Sequence, residues 1–362
     1  MSDCSSCAGA AHHGTGNSAA QPLARTQQLQ RRRRWLQLSF FAVFLLAPAL
    51  NLLRFDLTET QLWVLGFRWS LGIDAFLRGE ATAAQTAWAI IWRGILPVLA
   101  LVVGFLSVAY HYGRLYCGWL CPHFSLVELL NDLLHRATGK LSVWDKSPTP
   151  RAGRRTDKRW WPVFLAACLV FGFVWAITLL TYLLPPALVW GNLVHGTLSA
   201  NQARFLGVGM LVFTLEFTLA RHLFCRYGCA VGLFQSLAWM ANPKAMVVSF
   251  TRSRARECKT CEVMPASRRP LPPAHSAPTA PARSGPIGRP SIPSGSACDH
   301  ACPMRLNPRN IKRMMFACVQ CGQCLAACDA TQTDQGRTPT LEWKVGLDAV
   351  RETMRQRREE QS

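Results

Sequence analysis

The sequence predicts an all-α bundle of four transmembrane helices followed by a small cytoplasmic α+β domain. Three observations carry that expectation. Apolar runs of bilayer length recur through the first 224 residues, positive charge gathers on one side of them, and eight cysteines crowd into residues 258–328.

The helices come first. A hydrocarbon layer about 30 Å thick takes roughly 20 helical residues to cross, and the runs at 35–53, 94–112, 160–184 and 205–224 fit that length. With 13 Trp, 18 Phe and a mean hydropathy of +0.11, the 362-residue chain is too apolar for a purely soluble domain. The third run opens on Trp160 and Trp161, a pair suited to an interfacial belt. Residues 1–30 read as a flexible tail and 31–250 as the membrane domain. The stretch RRRRWLQLSFF resembles a twin-arginine signal but reads as an uncleaved first anchor with a basic flank.

Charge sets the orientation. Arg31–Arg34 precede the first run, and the segment between the second and third carries Arg114, Arg136, Lys140, Lys146, Arg151, Arg154, Arg155, Lys158 and Arg159. The loop at 184–203 has neither Lys nor Arg. The positive-inside rule then puts both termini and the cysteine-rich segment on the cytoplasmic side of a bacterial inner membrane. The same bias accounts for much of the net charge of +20. No nucleic-acid-binding motif accompanies it, so nucleic acid is not an expected partner.

The cysteine-rich domain, 251–332, is where the chemistry concentrates. Residues 318–328 read CVQCGQCLAAC, the C-x2-C-x2-C-x3-C run of a bacterial ferredoxin half, with Asp329 where a proline usually follows. Upstream, Cys258 and Cys261 form a C-x2-C, and Cys298 with Cys302-Pro303 a C-x3-C-P. A cubane needs four converging thiolates, three from a tight loop and one from a distant segment, and in two-cluster ferredoxins each fourth cysteine serves the other cluster. That logic assigns Cys258, Cys261, Cys298 and Cys328 to cluster one, and Cys318, Cys321, Cys324 and Cys302 to cluster two. The expected cofactors are therefore two 4Fe-4S clusters in a bacterial two-cluster ferredoxin-like domain. Paired zinc knuckles would explain four cysteines per site but not the triple run, and disulfides do not suit a cytoplasmic segment. The insert at 262–297, rich in Pro, Ala, Ser and Arg, lacks the apolar residues for a core and reads as disordered. Residues 333–362 read as a charged tail.

The membrane part repeats itself. The first two spans end in LYCGWLCPHFSLVELLNDLL and the last two in LFCRYGCAVGLFQSLAWM. Each half places a C-x3-C pair, Cys117 with Cys121 and Cys225 with Cys229, before an amphipathic segment. Four thiols from two related halves make a candidate redox or metal site, where soft thiolates would suit copper or a further metal centre. Glu216 lies within the fourth run, where a carboxylate is costly and usually functional. His111 and His222 precede the two pairs but read as interfacial residues, and Cys168 as a packing residue. Cys4, Cys7, His12 and His13 form a soft-donor set on the N-terminal tail that reads first as solvated.

These motifs together, GRLYCGWLCPHFSLVELL, CRYGCAVGLFQS, PKAMVVSF and the paired cluster runs, resemble the membrane polyferredoxin family: NapH, the C-terminal half of NosR and, most closely, the CcoG (RdxA, FixG) proteins. The resemblance covers about residues 31–332. It implies a membrane-bound electron-transfer protein. CcoG-like members imply reduction of Cu(II) to Cu(I) for assembly of a cbb3-type oxidase. NapH-like and NosR-like members imply a conduit between the quinone pool and a periplasmic reductase system. A third reading is a metal-assembly scaffold with structural clusters. Expected partners are lipid, a redox protein or quinone, and copper ion.

Overall fold

The computed structural model describes residues 16–59, 61–145, 156–255, 258 and 296–361. Cys4, Cys7, His12, His13, Cys261 and residues 262–295 of the insert fall outside them.

The described residues begin with α1 (Gly16–Leu46), so residues 16–30 are helical and not a tail. The helix also ends before the predicted first span does. Pro48 has no amide proton and disfavours helical backbone at Ala47, and the chain turns there into β1 (Leu53–Asp56). Strand β1 pairs with β2 (Gln61–Val64), and β2 with β3 (Phe67–Trp69), all antiparallel. Leu65 (φ 50°) and Gly66 (φ 82°) join the last two strands in left-handed backbone, as a type I′ turn requires.

After α2 (Ile73–Leu77), α3 (Ala83–Ile90), a π-turn (Ile91–Ile95) and α4 (Leu96–Tyr112) form one continuous apolar rod. Then follow α5 (Leu115–Trp119), α6 (Pro122–Thr138), α7 (Trp160–Leu183), α8 (Pro186–Val194) and α9 (Ala200–Leu215). A π-turn (Glu216–Ala220) extends α9, a second (Phe224–Gly228) follows, and α10 (Ala230–Ala241) ends this part. Among the described residues three helices are long and apolar enough to cross a membrane: Ala83–Tyr112, Trp160–Leu183 and Ala200–Ala220. Three of the four predicted spans fall on these helices, and the first falls on the end of α1 and the turn after it. Only twelve residues of α1, from Trp35 to Leu46, are apolar helix. They still lie along α7: Phe41 and Phe44 meet Trp175, and the Tyr182 hydroxyl donates to the Phe44 carbonyl at 2.9 Å. Small residues let α7 and α9 approach closely, Gly209 facing Ala176 and Gly172 facing Thr214. Val98, Leu101 and Val103 on α4 and Val208 and Leu211 on α9 are exposed, as lipid contact requires.

The two halves are exchanged. The amphipathic helix of the first half, α6, packs on α7 of the second, whereas α10 of the second packs on α4 of the first. Beneath them lies the cysteine-rich domain: β4 (Val247–Phe250), α11 (Ala297–Ala301), a 3-10 turn (Lys312–Met315), α12 (Gln323–Thr333), β5 (Leu341–Lys344) and α13 (Leu347–Gln361). Strand β5 pairs antiparallel with β4, Leu341 opposite Phe250. Residues 341–361 are therefore folded onto the domain, with Ala349 and Glu352 buried, and are not a tail. Asp329 has its own consequence. A proline there would interrupt α12, whereas the aspartate lets the helix continue to Thr333 and meet Thr26 of α1.

Candidate functional site

The run 318–324 is a loop whose backbone turns inward. Gln320 (φ 51°) and Gly322 (φ 71°) take left-handed conformations, and the amides of Gln320 and Gln323 bond the sulfurs of Cys318 and Cys321. Cys302 arrives from the end of α11 and accepts from the Leu306 amide at 3.4 Å. Cys302, Cys318, Cys321 and Cys324 all line one small pocket, walled by Val248, Met304, Leu306 and Trp343. Four cysteine side chains on one pocket, with amide N–H groups bonded to sulfur, are the donor types that a thiolate-bound cubane uses. Burial pushes the free thiols of Cys302, Cys318 and Cys321 up to about 12, so ligation would have to release their protons.

Cys258, Cys298 and Cys328 share a second core with Val248, Phe250 and Leu341. The Thr340 hydroxyl lies 3.8 Å from the Cys258 sulfur and 3.4 Å from that of Cys328, and the Thr340 amide donates to Cys328 at 3.4 Å. Ser296 covers Cys298 at 3.0 Å. The structure thus brings together the three described residues of the cluster-one set. Cys324 stands in this core as well, so the two sets adjoin through α12.

The membrane pairs sit directly above. Cys117 lies on α5, Cys121 caps α6, Cys225 lies in the π-turn and Cys229 caps α10. Cys117, Cys121 and Cys225 pack against the same core as Cys302, Cys318 and Cys321. Each half also lends the other's first cysteine a polar neighbour: Gln235 stands 3.6 Å from Cys117 and His123 3.5 Å from Cys225. Burial raises Cys117 to about 12 and moves Cys121 and Cys225 the same way. Among the described residues no three His, Cys, Asp or Glu side chains gather closely enough to hold a single metal ion.

The contact between the layers is tight. A Cβ on Gly118 would stand 2.0 Å from the Val319 carbonyl oxygen, and the Trp119 indole donates to the Gln320 carbonyl at 3.0 Å. From α1, Arg33 donates to the Gly118 carbonyl at 2.7 Å and pairs with Glu128, and Gln30 donates to the Cys321 carbonyl at 2.9 Å. Burial opposes the Arg33 charge, but Glu128 and the Cys321 sulfur outweigh it and hold the guanidinium above its usual range.

Glu216 begins the π-turn and bonds His123 Nε2 at 3.0 Å, which aims Nδ1 at Cys225. Trp175, Phe217 and Phe224 enclose the imidazole. His123 escaped the sequence reading; its signal was its place two residues after Cys121 in LCPHF. His111 is exposed, its ring lies against Tyr110 and its carbonyl accepts from the Met246 amide. His222 is buried and has no bond to the cysteines, and Cys168 is core packing beside Phe164.

Comparison with known proteins fits this arrangement. The family described as "4Fe-4S binding domain" matches residues 94–140 and 202–244, the two halves that carry the membrane pairs. The methylamine utilization ferredoxin-type protein MauN of Methylorubrum extorquens is 25% identical over 256 residues, 67% of this chain and 75% of its own. Protein RdxA of Cereibacter sphaeroides is 25% identical over 236 residues, 62% of this chain and 42% of its own. No solved structure matches.

Proposed function

We propose that this chain, a member of the membrane polyferredoxin family, carries electrons between a redox partner and the membrane cysteine site by way of two 4Fe-4S clusters. Cys258, Cys261, Cys298 and Cys328 would hold cluster one, and Cys302, Cys318, Cys321 and Cys324 cluster two. Bound clusters would supply reversible one-electron storage. The observation that carries this reading is the pressing of Gly118, which lies between Cys117 and Cys121, onto the loop of Cys318 and Cys321. Electrons would leave through Cys117, Cys121, Cys225 and Cys229. With Nε2 bonded to Glu216, His123 turns Nδ1 toward the Cys225 sulfur and would position it. Both termini and both clusters would face the cytoplasm of a bacterial inner membrane.

The terminal acceptor is the finer question. Cu(II), for cbb3-type oxidase assembly, and a quinone serving a separate reductase are the two readings the family offers, and thiolates favour Cu(I). The test is anaerobic reconstitution of the full chain, reduction, and rapid mixing with Cu(II) or a short-chain quinone. The iron–sulfur absorption should bleach on mixing, and Cys117→Ser with Cys225→Ser should abolish that response. Undiminished oxidation in the double variant would refute the exit site, and a chain that takes up no iron would refute the clusters. In the same assay Glu216→Gln should slow oxidation about tenfold. His123→Phe should do the same, and the pair should cost no more than either alone, because they act as one unit.

A further inference from the structure

Arg114 is a buried cation between the two cysteine layers, 2% exposed, in the turn between α4 and α5. Its Nη1 donates to the Cys225 carbonyl at 2.9 Å, its Nε to the Ser236 hydroxyl, and its guanidinium lies 6.0 Å from the Phe316 ring centroid. Ser236 in turn donates to the Phe316 carbonyl at 2.6 Å, next to the cluster-two loop. Among the described residues no carboxylate pairs with Arg114. Burial works against its charge, and the sulfurs of Cys117, Cys229, Cys225 and Cys318 act in its favour. Three belong to the membrane pairs and the fourth to cluster two.

A buried charge without a counter-charge is costly, and natural interiors pair such groups. Arg33 and Arg54 follow that rule with Glu128 and Asp56; Arg114 has only thiols. Its cost is offset when those sulfurs carry negative charge. We propose that Arg114 is a redox-positioning residue: a fixed positive charge shared by the membrane cysteines and cluster two, which stabilises the electron-rich state of both. The proposal rests on the electron-transfer reading above. An electron reaching cluster two adds one negative charge, no proton need accompany it, and the guanidinium stays protonated throughout. Cluster one should be indifferent, since the hydrogen bonds of Arg114 run to the Cys225 carbonyl and, through Ser236, to Phe316 beside the cluster-two loop, and to no cluster-one cysteine.

The test is a redox titration of the reconstituted full chain, followed by electron paramagnetic resonance so that each cluster is read separately. Arg114→Gln should weaken the electron affinity of cluster two at least tenfold, about 59 mV for one electron, and leave cluster one where it was. Arg114→Lys, which keeps the charge, should restore most of the shift. Gly232→Ala covers the case in which the glutamine variant does not assemble: its Cβ would stand 3.0 Å from Arg114 Nη1, so it should give a smaller shift of the same sign. A readout that needs no cluster is alkylation of Cys117 and Cys225 by iodoacetamide, which Arg114→Gln should slow because the thiolates lose their cation. Cluster-two potentials that agree in the unaltered chain and in both the glutamine and Gly232 variants would overturn the inference while leaving the electron-transfer reading intact. Equal shifts at both clusters would overturn it too. Failure of the unaltered chain to bind iron would instead remove the reading on which it rests.

Discussion

Replacing Gly118 with alanine is expected to separate the membrane cysteine turn from cluster two. The added carbon would stand 2.0 Å from the Val319 carbonyl oxygen, 3.1 Å from its carbonyl carbon and 3.4 Å from the Cys321 amide nitrogen. All three are backbone atoms, so no side-chain rotation relieves the clash, and one layer must move from the other. Inserting a methyl into a packed interior commonly costs about 1–3 kcal/mol, and contact with rigid backbone puts this case at the upper end. The Trp119–Gln320 and Arg33–Gly118 hydrogen bonds depend on the same approach and should loosen with it. The ligands of cluster two are not themselves altered. The variant should therefore still take up iron, melt at a lower temperature, and transfer electrons to the exit thiols at least tenfold more slowly. The three readouts are iron content, thermal unfolding and stopped-flow oxidation. Unchanged transfer at lowered stability would show that electrons do not leave through this contact.

That contact explains why part of the site was legible in the sequence and part was not. The cluster runs could be read because their geometry is local: a C-x2-C-x2-C loop places its sulfurs by chain spacing alone, and the structure puts Cys318, Cys321 and Cys324 on one pocket with Cys302. The duplicated membrane pairs were legible for the same reason. What they touch was not, since Gly118 and Val319 are two hundred residues apart and only tertiary packing joins them. The exchange of α6 and α10 between the halves likewise leaves no trace in either motif. The first span failed on a signal that was present, Pro48, whose effect on the helix was outweighed by the length of the apolar run. Residues 341–344 failed differently: LEWK is too short and too charged to announce a strand, and it becomes one only because β4 offers its edge.

Removing Arg33 should do more damage than any other single truncation on α1. Its guanidinium is 1% exposed and holds three partners on different elements: Glu128 on α6, the Gly118 carbonyl on α5 and Gln30 on its own helix. Glu128 also accepts from Gln37 and from Gln323 of α12, so this one carboxylate ties α1, α6 and α12 together. Arg33→Ala leaves that carboxylate with two neutral donors and no compensating charge. Breaking one side of a buried pair typically costs about 3–5 kcal/mol, whereas replacing both sides with apolar groups is often neutral. Arg33→Met with Glu128→Leu should therefore recover part of the loss in a double-mutant cycle, although Gln37 and Gln323 then lose their acceptor and cap the recovery. The expected order of thermal stability is unaltered chain, double variant, Arg33→Ala. Limited proteolysis should report the same event locally, with cleavage within α1 appearing first in Arg33→Ala, because Gln30 and Arg33 fasten this helix to the cluster-two loop and the turn above it. A double variant less stable than Arg33→Ala would mean that the neutral donors around Glu128, and not the ion pair, hold the three helices together.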